Sequence, residues 1–500
     1  SLVLGTLGHL YEQTQQRAIA LDLSRQALAL AQQAQADDIR YRWEWQLGRL
    51  FKAEQQTAPA IAAYTAAYET LNGLRSDLIT ANPDVQFSFR EQVEPVYREL
   101  VDLLVSEVPE LGAPQGKATD PTDQARLRQA RDVMEALQVA ELENFFQAAC
   151  IDKTVSIDEV VNEEDTTAAV VYTMLLRDRL EVVLKLPQQD DLVHYAAPAP
   201  RAAIDALLDT YRAKLIRGTN IIPEGQQLYT WLLQPAAQAG LLTPDTIQTL
   251  IFLQDGPLRL IPMTTLHDGT DFLVKTYAVS LVLGLDVRDP QALPPREQVQ
   301  VLAASLQTPP PAERGTYSPL PGVTAELEEI VASALPVTVL QDDAFTQPAL
   351  DRQLQDTDYT IVHLATHGEF GSDRRNTYIL AADGRLNIDA LGQLFQSRRQ
   401  ADTRLEMLIL SACKTATGDS REVLGIAGAM VQSGARSAIA TLWSVDDRVS
   451  ILFTEALYAE LAQPNVSRAE ALRRAQATLL DRYPDRPRYW APYVLVGSWR

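Results

Sequence analysis

Apolar positions recur at helical spacing through the first hundred or so residues, and short unbroken apolar runs take over from Ala168 onward. Early in the chain, Leu7-Gly8-His9-Leu10-Tyr11 followed by Ala27-Leu28 recurs as Leu47-Gly48-Arg49-Leu50-Phe51 followed by Ala67-Tyr68. Residues three and four apart share a helix face, so this pattern predicts repeated amphipathic helices. Gly8, Ala20 and Ala27, and again Gly48, Ala60 and Ala67, are small where paired helices must approach closely. The longer inter-helix turn expected around Ala36-Asp37-Asp38 widens the repeat. Phe87 to Val108 continues as another amphipathic segment, and Pro109 to Pro121 has the Pro and Gly content of a linker. A helix is predicted from Gln124 to about Phe146.

Beyond that helix the pattern changes. Ala168–Met174 and Leu180–Leu186 predict a hairpin around Arg177-Asp178. Helices follow near Ala202–Leu215 and Gln226–Gln234, then a short buried strand, Leu250–Leu253, before the Asp255-Gly256-Pro257 turn. The alternation restarts after Asp289–Glu297, with a strand at Val299–Ala304, a proline-rich loop from Pro309 to Gly322 and a helix at Thr324–Ala334. Two apolar runs come next, Ile361–Gly368 and Leu408–Cys413. A loop (Lys414–Arg421), a helix (Val423–Gly434) and a strand (Ala438–Trp443) follow. Helices at Val449–Leu461 and Arg468–Leu480 and a final apolar run, Tyr493–Val496, complete the pattern. Strands alternating with helices predict a largely parallel sheet with crossovers, here in two consecutive α/β halves.

Composition narrows the picture. Five hundred residues exceed one compact core, and 46% hydrophobic content is ordinary for a globular chain. No stretch approaches the roughly 18 apolar residues of a membrane helix. Asp and Glu number 65 against 44 Lys and Arg, a formal net charge of −21. That field repels nucleic acid and anionic membranes and attracts basic protein segments, or serves only to keep the chain soluble. Neither a direct nucleic-acid contact nor a membrane is expected. Two distant cysteines, Cys150 and Cys413, do not make a disulfide framework. A reducing, cytoplasmic compartment suits a reactive thiol, although a chain that begins at Ser1 leaves room for a trimmed upstream segment.

The candidate chemistry sits where the two apolar runs end, one at His367-Gly368 and the other at Cys413. Neighbouring parallel strands lie roughly 4.8 Å apart, and open α/β sheets bind ligands beyond the carboxyl ends of their strands. An imidazole and a thiol meeting there are the minimal equipment of a thiol hydrolase. The backbone N–H groups of Gly368 and Cys413 are candidates for an oxyanion hole. Against this stands the ordinary role of a free cysteine as a small buried hydrophobe. His363, inside its strand, reads as structural, as does Cys150 at a helix end. Five histidines and two cysteines without a His-Glu-x-x-His pattern give no zinc site, no Walker-type phosphate loop is present, and no cofactor is expected.

Two resemblances sharpen these expectations. The opening helices resemble tetratricopeptide repeats. His-Leu-Ala-Thr-His-Gly, Leu-Ser-Ala-Cys-Lys-Thr-Ala, Gly434-Ala435-Arg436-Ser437 leading into Ala440-Thr441-Leu442-Trp443, and Tyr489-Trp490-Ala491-Pro492-Tyr493 with Val496-Gly497 resemble the CHAT domain. These caspase-like domains occur beside tetratricopeptide repeats, mostly in bacteria and notably in cyanobacteria. The resemblance implies a multidomain chain: helical repeats over 1–110, a linker over 111–124, a pseudo-caspase half over 125–297 and an active caspase-like half over 298–500. It implies a cysteine endopeptidase acting through a Cys413–His367 dyad, with a protein or peptide substrate and a protein partner received by the repeats. In separases the comparable stretch is Trp-Asp-Val-Thr-Asp, whereas here it is Trp443-Ser444-Val445-Asp446-Asp447, with Ser444 in place of the first acid. Asp446 and Asp447 are therefore candidates for reading Arg or Lys before the scissile bond, while Asp446 is equally a helix cap. A preference for Asp would need arginines instead, and Arg374, Arg375 and Arg436 are the nearby candidates. The rival readings are a scaffold with a degenerate protease fold and, more distantly, a small-molecule acyl hydrolase or transferase.

Overall fold

The computed structural model describes residues 1–81, 93–112, 120–146, 154–282, 284, 286–288, 291–370, 377–396, 405–414 and 433–500. The chain divides into two compact units, one of residues 1–149 with 191–194 and one of 150–190 with 195–500.

The first unit is helical: α1 (Leu2–Gln13), α2 (Arg17–Gln33), α3 (Asp37–Ala53), α4 (Thr57–Ala81), α5 (Glu94–Val105) and α6 (Pro121–Phe146). The first four are joined by turns of the same shape, with Gln15, Gln35 and Gln55 in the left-handed region at φ 59°, 50° and 59°. The widened repeat therefore does not come from a longer turn at Ala36-Asp37-Asp38. It comes from the helices, since α2 and α3 each run for 17 residues. The small residues serve the close approach expected of them. A Cβ added at Gly48 would lie 2.6 Å from the Tyr64 ring, whose hydroxyl donates to Glu99 Oε2 at 2.7 Å. By contrast, Gly73 on α4 has open space where a Cβ would go. Gly48→Ala is expected to lower the unfolding temperature, because overpacking costs about 1–3 kcal/mol against the ~1 kcal/mol gained in helix propensity. Gly73→Ala should raise it, and circular-dichroism melts of the two variants check the pair. The helix α6, predicted to open the α/β region, belongs to this helical unit, where Gln129 donates to Thr65 of α4 at 3.2 Å.

In the second unit, β1 (Thr154–Ser156) pairs antiparallel with β7 (Asp286–Arg288). The remaining strands build one sheet of 13 among the described residues. They are β2 (Ala168–Leu175), β3 (Leu180–Lys185), β4 (Leu192–Ala197), β5 (Thr249–Leu253), β6 (Ala278–Leu281), β8 (Val301–Ser305), β9 (Val337–Gln341), β10 (Ile361–Phe370), β11 (Thr377–Ala381), β12 (Gly384–Asn387), β13 (Met407–Lys414), β14 (Ser437–Thr441) and β15 (Tyr493–Gly497). Their order is β12-β11-β10-β13-β14-β15-β6-β5-β2-β3-β4, with β8 and then β9 beside the first half of β10. The strands β9, β8, β10, β13 and β14 are parallel to one another, as are β15, β6, β5 and β2. Because β15 is antiparallel to β14, the two groups run in opposite directions. Helices α7 (Arg201–Arg217), α8 (Ile222–Leu232), α9 (Val323–Ala332), α10 (Gln347–Asp356), α11 (Ile388–Gln396), α12 (Asp447–Leu461) and α13 (Arg468–Arg482) connect the strands.

The long apolar runs make central strands, as buried parallel strands should. The sequence pattern passed over β9, an edge strand with one buried residue in five and so no apolar run. The helix expected over Val423–Gly434 and the loop over Lys414–Arg421 fall largely outside the described residues, as does Cys150. Among the described residues, no helix is long and apolar enough to cross a membrane.

Candidate active site

The strands β10 and β13 lie side by side and parallel, in register from Ile361 opposite Met407 to Ala365 opposite Ser411. The pairing resumes with Gly368 opposite Cys413, so two residues, Thr366 and His367, span the space of one, Ala412. This is a β-bulge, the device by which a strand re-aims a side chain beside a functional site. Gly368 and Cys413 are thus cross-strand neighbours. The apolar run ends at the His-Gly pair, but the strand does not end with it, as expected, and continues to Phe370. The reason is a hairpin partner: β11 pairs antiparallel with Gly368–Phe370. A Cβ at Gly368 would lie 3.2 Å from the Phe370 ring and 3.3 Å from Ile379, a tight fit in which those side chains would have to give by a few tenths of an ångström.

The two histidines of β10 have different surroundings. His363 is 1% exposed and both of its ring nitrogens are engaged, Nδ1 with the Tyr458 hydroxyl and Nε2 with Glu326 Oε1, each at 3.1 Å. Glu326, on α9, also accepts from Thr454 of α12 at 3.1 Å. Burial would raise the Glu326 pKa, but the hydrogen bond and charge of His363, with hydrogen bonds from Ser411 and Thr454, hold it below the usual carboxylate value. This cluster joins α9, β10, β13 and α12, which is the structural role read for His363.

His367 is half-buried, and its Nε2 is 2.6 Å from the carbonyl oxygen of Ser318. A carbonyl only accepts, so Nε2 carries a hydrogen, and whenever the ring is neutral its lone pair is on Nδ1. The Tyr317 ring lies against the imidazole, with centroids 4.7 Å apart. Both residues belong to the 306–322 loop between β8 and α9, which the sequence marked only as proline-rich. Nothing in its periodicity says where such a loop lands, so Tyr317 and Ser318 were not legible as neighbours of His367.

The acidic candidates prove to be bound to backbone. Asp446 caps α12, its Oδ1 accepting the Arg448 N–H at 3.1 Å, which is the helix-cap role that the sequence left open. Asp447 Oδ2 accepts the Gly322 N–H at 3.0 Å, fastening the end of the loop that carries Ser318. Gly322 permits this approach, since a Cβ there would be 2.5 Å from that of Asp447. Of the candidate arginines, Arg436 is buried, with Nη1 3.6 Å from Glu406, just before the start of β14. It therefore lies at the opposite end of that strand from Asp446 and Asp447. Arg374 and Arg375 fall outside the described residues.

With strand order and register in view, one comparison is decisive. A model of the CHAT domain matches residues 223–498, more than half of the chain. The chain belongs to the CHAT domain family. This CHAT protein is also similar to separase in the separase–securin complex of Saccharomyces cerevisiae, with TM-score 0.45 and 11% identity, covering 99% of this chain and 49% of that one. It thus spans about half the length of the separase chain. It is similar to the Arg specific cysteine proteinase gingipain R, with TM-score 0.36 and 8% identity over 60% of this chain and 75% of that one. A complex of pro- and mature domains from Porphyromonas gingivalis gives TM-score 0.35 at 8% identity, over 60% of this chain and 77% of that one. No curated protein sequence matches.

Proposed function

We propose that this CHAT protein is a cysteine endopeptidase that hydrolyses peptide bonds in protein substrates through Cys413 and His367. The observation that carries the reading is the register of β10 and β13, in which Gly368, next to His367, pairs with Cys413. In this mechanism the Cys413 thiol gives its proton to His367 Nδ1 and the thiolate attacks the scissile carbonyl. The N–H groups of Gly368 and Cys413 hold the oxyanion of the tetrahedral intermediate. Collapse expels the amine, which takes its proton from the imidazolium, and leaves an acyl-enzyme. Water, deprotonated by His367, then attacks the thioester and releases the thiol.

In the wider proposal, residues 1–110 are tetratricopeptide-like repeats that receive a protein partner or substrate and regulate the peptidase. Of residues 125–297, the part beyond α6 is proposed as a pseudo-caspase half, and 298–500 as the active half. The net charge of −21 favours substrates with basic segments, and cleavage after Arg or Lys is the specificity proposed. Asp447 and Asp446 remain the carboxylates proposed to read that side chain, although each already accepts a backbone N–H.

The test is a peptide library varied at the residue before the scissile bond, digested by the native chain and by Cys413→Ala. Cleavage after Arg or Lys, abolished in the variant, is the expected result. Cleavage after Asp would retain the peptidase and remove the acidic pocket, whereas equal cleavage by both proteins would overturn the role of Cys413.

A further inference from the structure

The 306–322 loop is tied across β10, β11 and β12 by a set of residues that the proposed chemistry does not use. Tyr317 is buried, and its ring is tilted 35° from the plane of the His367 imidazole. Its hydroxyl lies 2.7 Å from that of Tyr378 on β11. Glu369 Oε2 lies 2.9 Å from the Tyr378 hydroxyl and 3.3 Å from that of Tyr317, so two phenol protons serve three contacts. Glu369 is two residues beyond His367 on β10 and is the cross-strand partner of Tyr378. Arg385 on β12 lies 4.3 Å from the centre of the Tyr378 ring. Its Nε and Nη2 donate to Glu313, in the same loop as Tyr317, at 2.6 and 3.0 Å. Burial first, and then the neighbouring Glu369, pushes the Tyr317 phenol up. Burial and the hydrogen bonds of Tyr317 and Glu369 push Tyr378 up further, so both phenols stay protonated as donors.

A loop held at this many points puts an aromatic ring against a base that must become a cation. The neutral imidazole gains its second proton at Nδ1, and the positive charge then lies beside the Tyr317 ring and the Ser318 carbonyl, with the Glu369 carboxylate two residues along the strand. An aromatic face and a nearby carboxylate both favour a cation. We propose that Tyr317, braced by Tyr378 and Glu369, is a positioning residue that favours the imidazolium form of His367 and with it the thiolate form of Cys413. This rests on the reading that Cys413 and His367 act as a pair.

The charged and titratable groups that these contacts place near His367 are Glu369 on its own strand, Tyr317 on the loop, Tyr378 on β11 and Arg385 on β12, with Cys413 on the neighbouring strand β13 and the His363–Glu326–Tyr458 cluster four residues earlier along β10. The Arg385 cation opposes an imidazolium, but it is spent on Glu313.

The experiment is the rate of alkylation of Cys413 by iodoacetamide as a function of pH, followed by peptide mass spectrometry so that Cys150 is read separately. It needs no peptide substrate. The native chain should show its midpoint below the ~8.5 of an ordinary thiol. Tyr317→Leu should move that midpoint up by about one pH unit, as expected for loss of a neighbouring group that favours the cation. Tyr317→Phe, which keeps the ring, should stay nearer the native value, and Glu369→Gln should move in the same direction as Tyr317→Leu. A folded Tyr317→Leu variant with the native profile would overturn the proposal. Should that variant not fold, Tyr378→Phe removes only a bracing hydroxyl, and an unshifted profile there overturns it equally. Failure of the underlying pair is separately visible, because His367→Gln would then leave the profile unmoved. Silence towards peptides with a shifted profile counts against the peptidase and not against this role of Tyr317.

Discussion

His367→Ala is expected to lower peptide cleavage by roughly two to four orders of magnitude, the usual contribution of a positioned general base. The unfolding midpoint should move little, since the side chain is half-buried and a hydrogen bond such as that to Ser318 is worth about 1 kcal/mol. The contrast that makes this informative is His363, four residues earlier on the same strand. It is 1% exposed, with each ring nitrogen committed to a partner, so no lone pair is available to a substrate. His363→Ala should therefore act through stability, leaving Glu326 and Tyr458 in the core without their shared partner. Steady-state kinetics and thermal melts on both variants separate the two roles. If His367→Ala cleaved at the native rate, the dyad would be wrong whatever became of Cys413. A drop confined to KM would make His367 a binding residue instead.

The sequence separated these histidines for reasons that hold only in part. The even spacing put both histidines on one face of an ideal strand, and the position of His363 inside the strand set it apart as structural, as its two buried partners bear out. The two apolar runs, read as possible neighbours, are the parallel pair β10 and β13. The bulge at Thr366-His367 was not legible, because it depends on how β10 registers against a strand 46 residues further on in the pairing of Val362 with Leu408. Nor was the continuation of β10 to Phe370, which exists only because β11 returns beside it. The acidic stretch shows the same limit from the other side. Asp446 and Asp447 look alike in sequence, yet one caps its own helix and the other reaches back 125 residues to a loop glycine. Local rules give the cap, whereas the second contact is tertiary. The grouping of α6 with the helical unit is tertiary in the same way: its amphipathic pattern says that it packs, not on what.

The largest effect on stability is expected at Glu326, beneath the site. Its carboxylate is 2% exposed and accepts from His363 and Thr454, with a further hydrogen bond from Ser411. Glu326→Ala removes the acceptor shared by two buried donors, His363 and Thr454, and by the half-buried Ser411, and leaves a cavity. Breaking one side of such a buried pair costs about 3–5 kcal/mol, and denaturant unfolding of the α/β unit should show a loss of this size. Glu326→Gln keeps an acceptor oxygen and should cost less. The pH dependence supplies the sharper check. The native Glu326 pKa is held below its unfolded value, so its contribution is fully present above the unfolded pKa, near 4.3, and is lost as pH falls through the lower folded value. Native protein should therefore lose stability on acidification below about pH 4.5, and the loss should be shallower in Glu326→Gln, which has no carboxyl group to protonate. Parallel acid limbs in the two proteins would mean that the Glu326 carboxylate is not stabilised in the fold. Because Ser411 belongs to this cluster and lies two residues before Cys413 on β13, even a folded Glu326→Ala variant should cleave more slowly. That loss should appear in kcat, since the strand carrying the proposed nucleophile is anchored here rather than at the substrate.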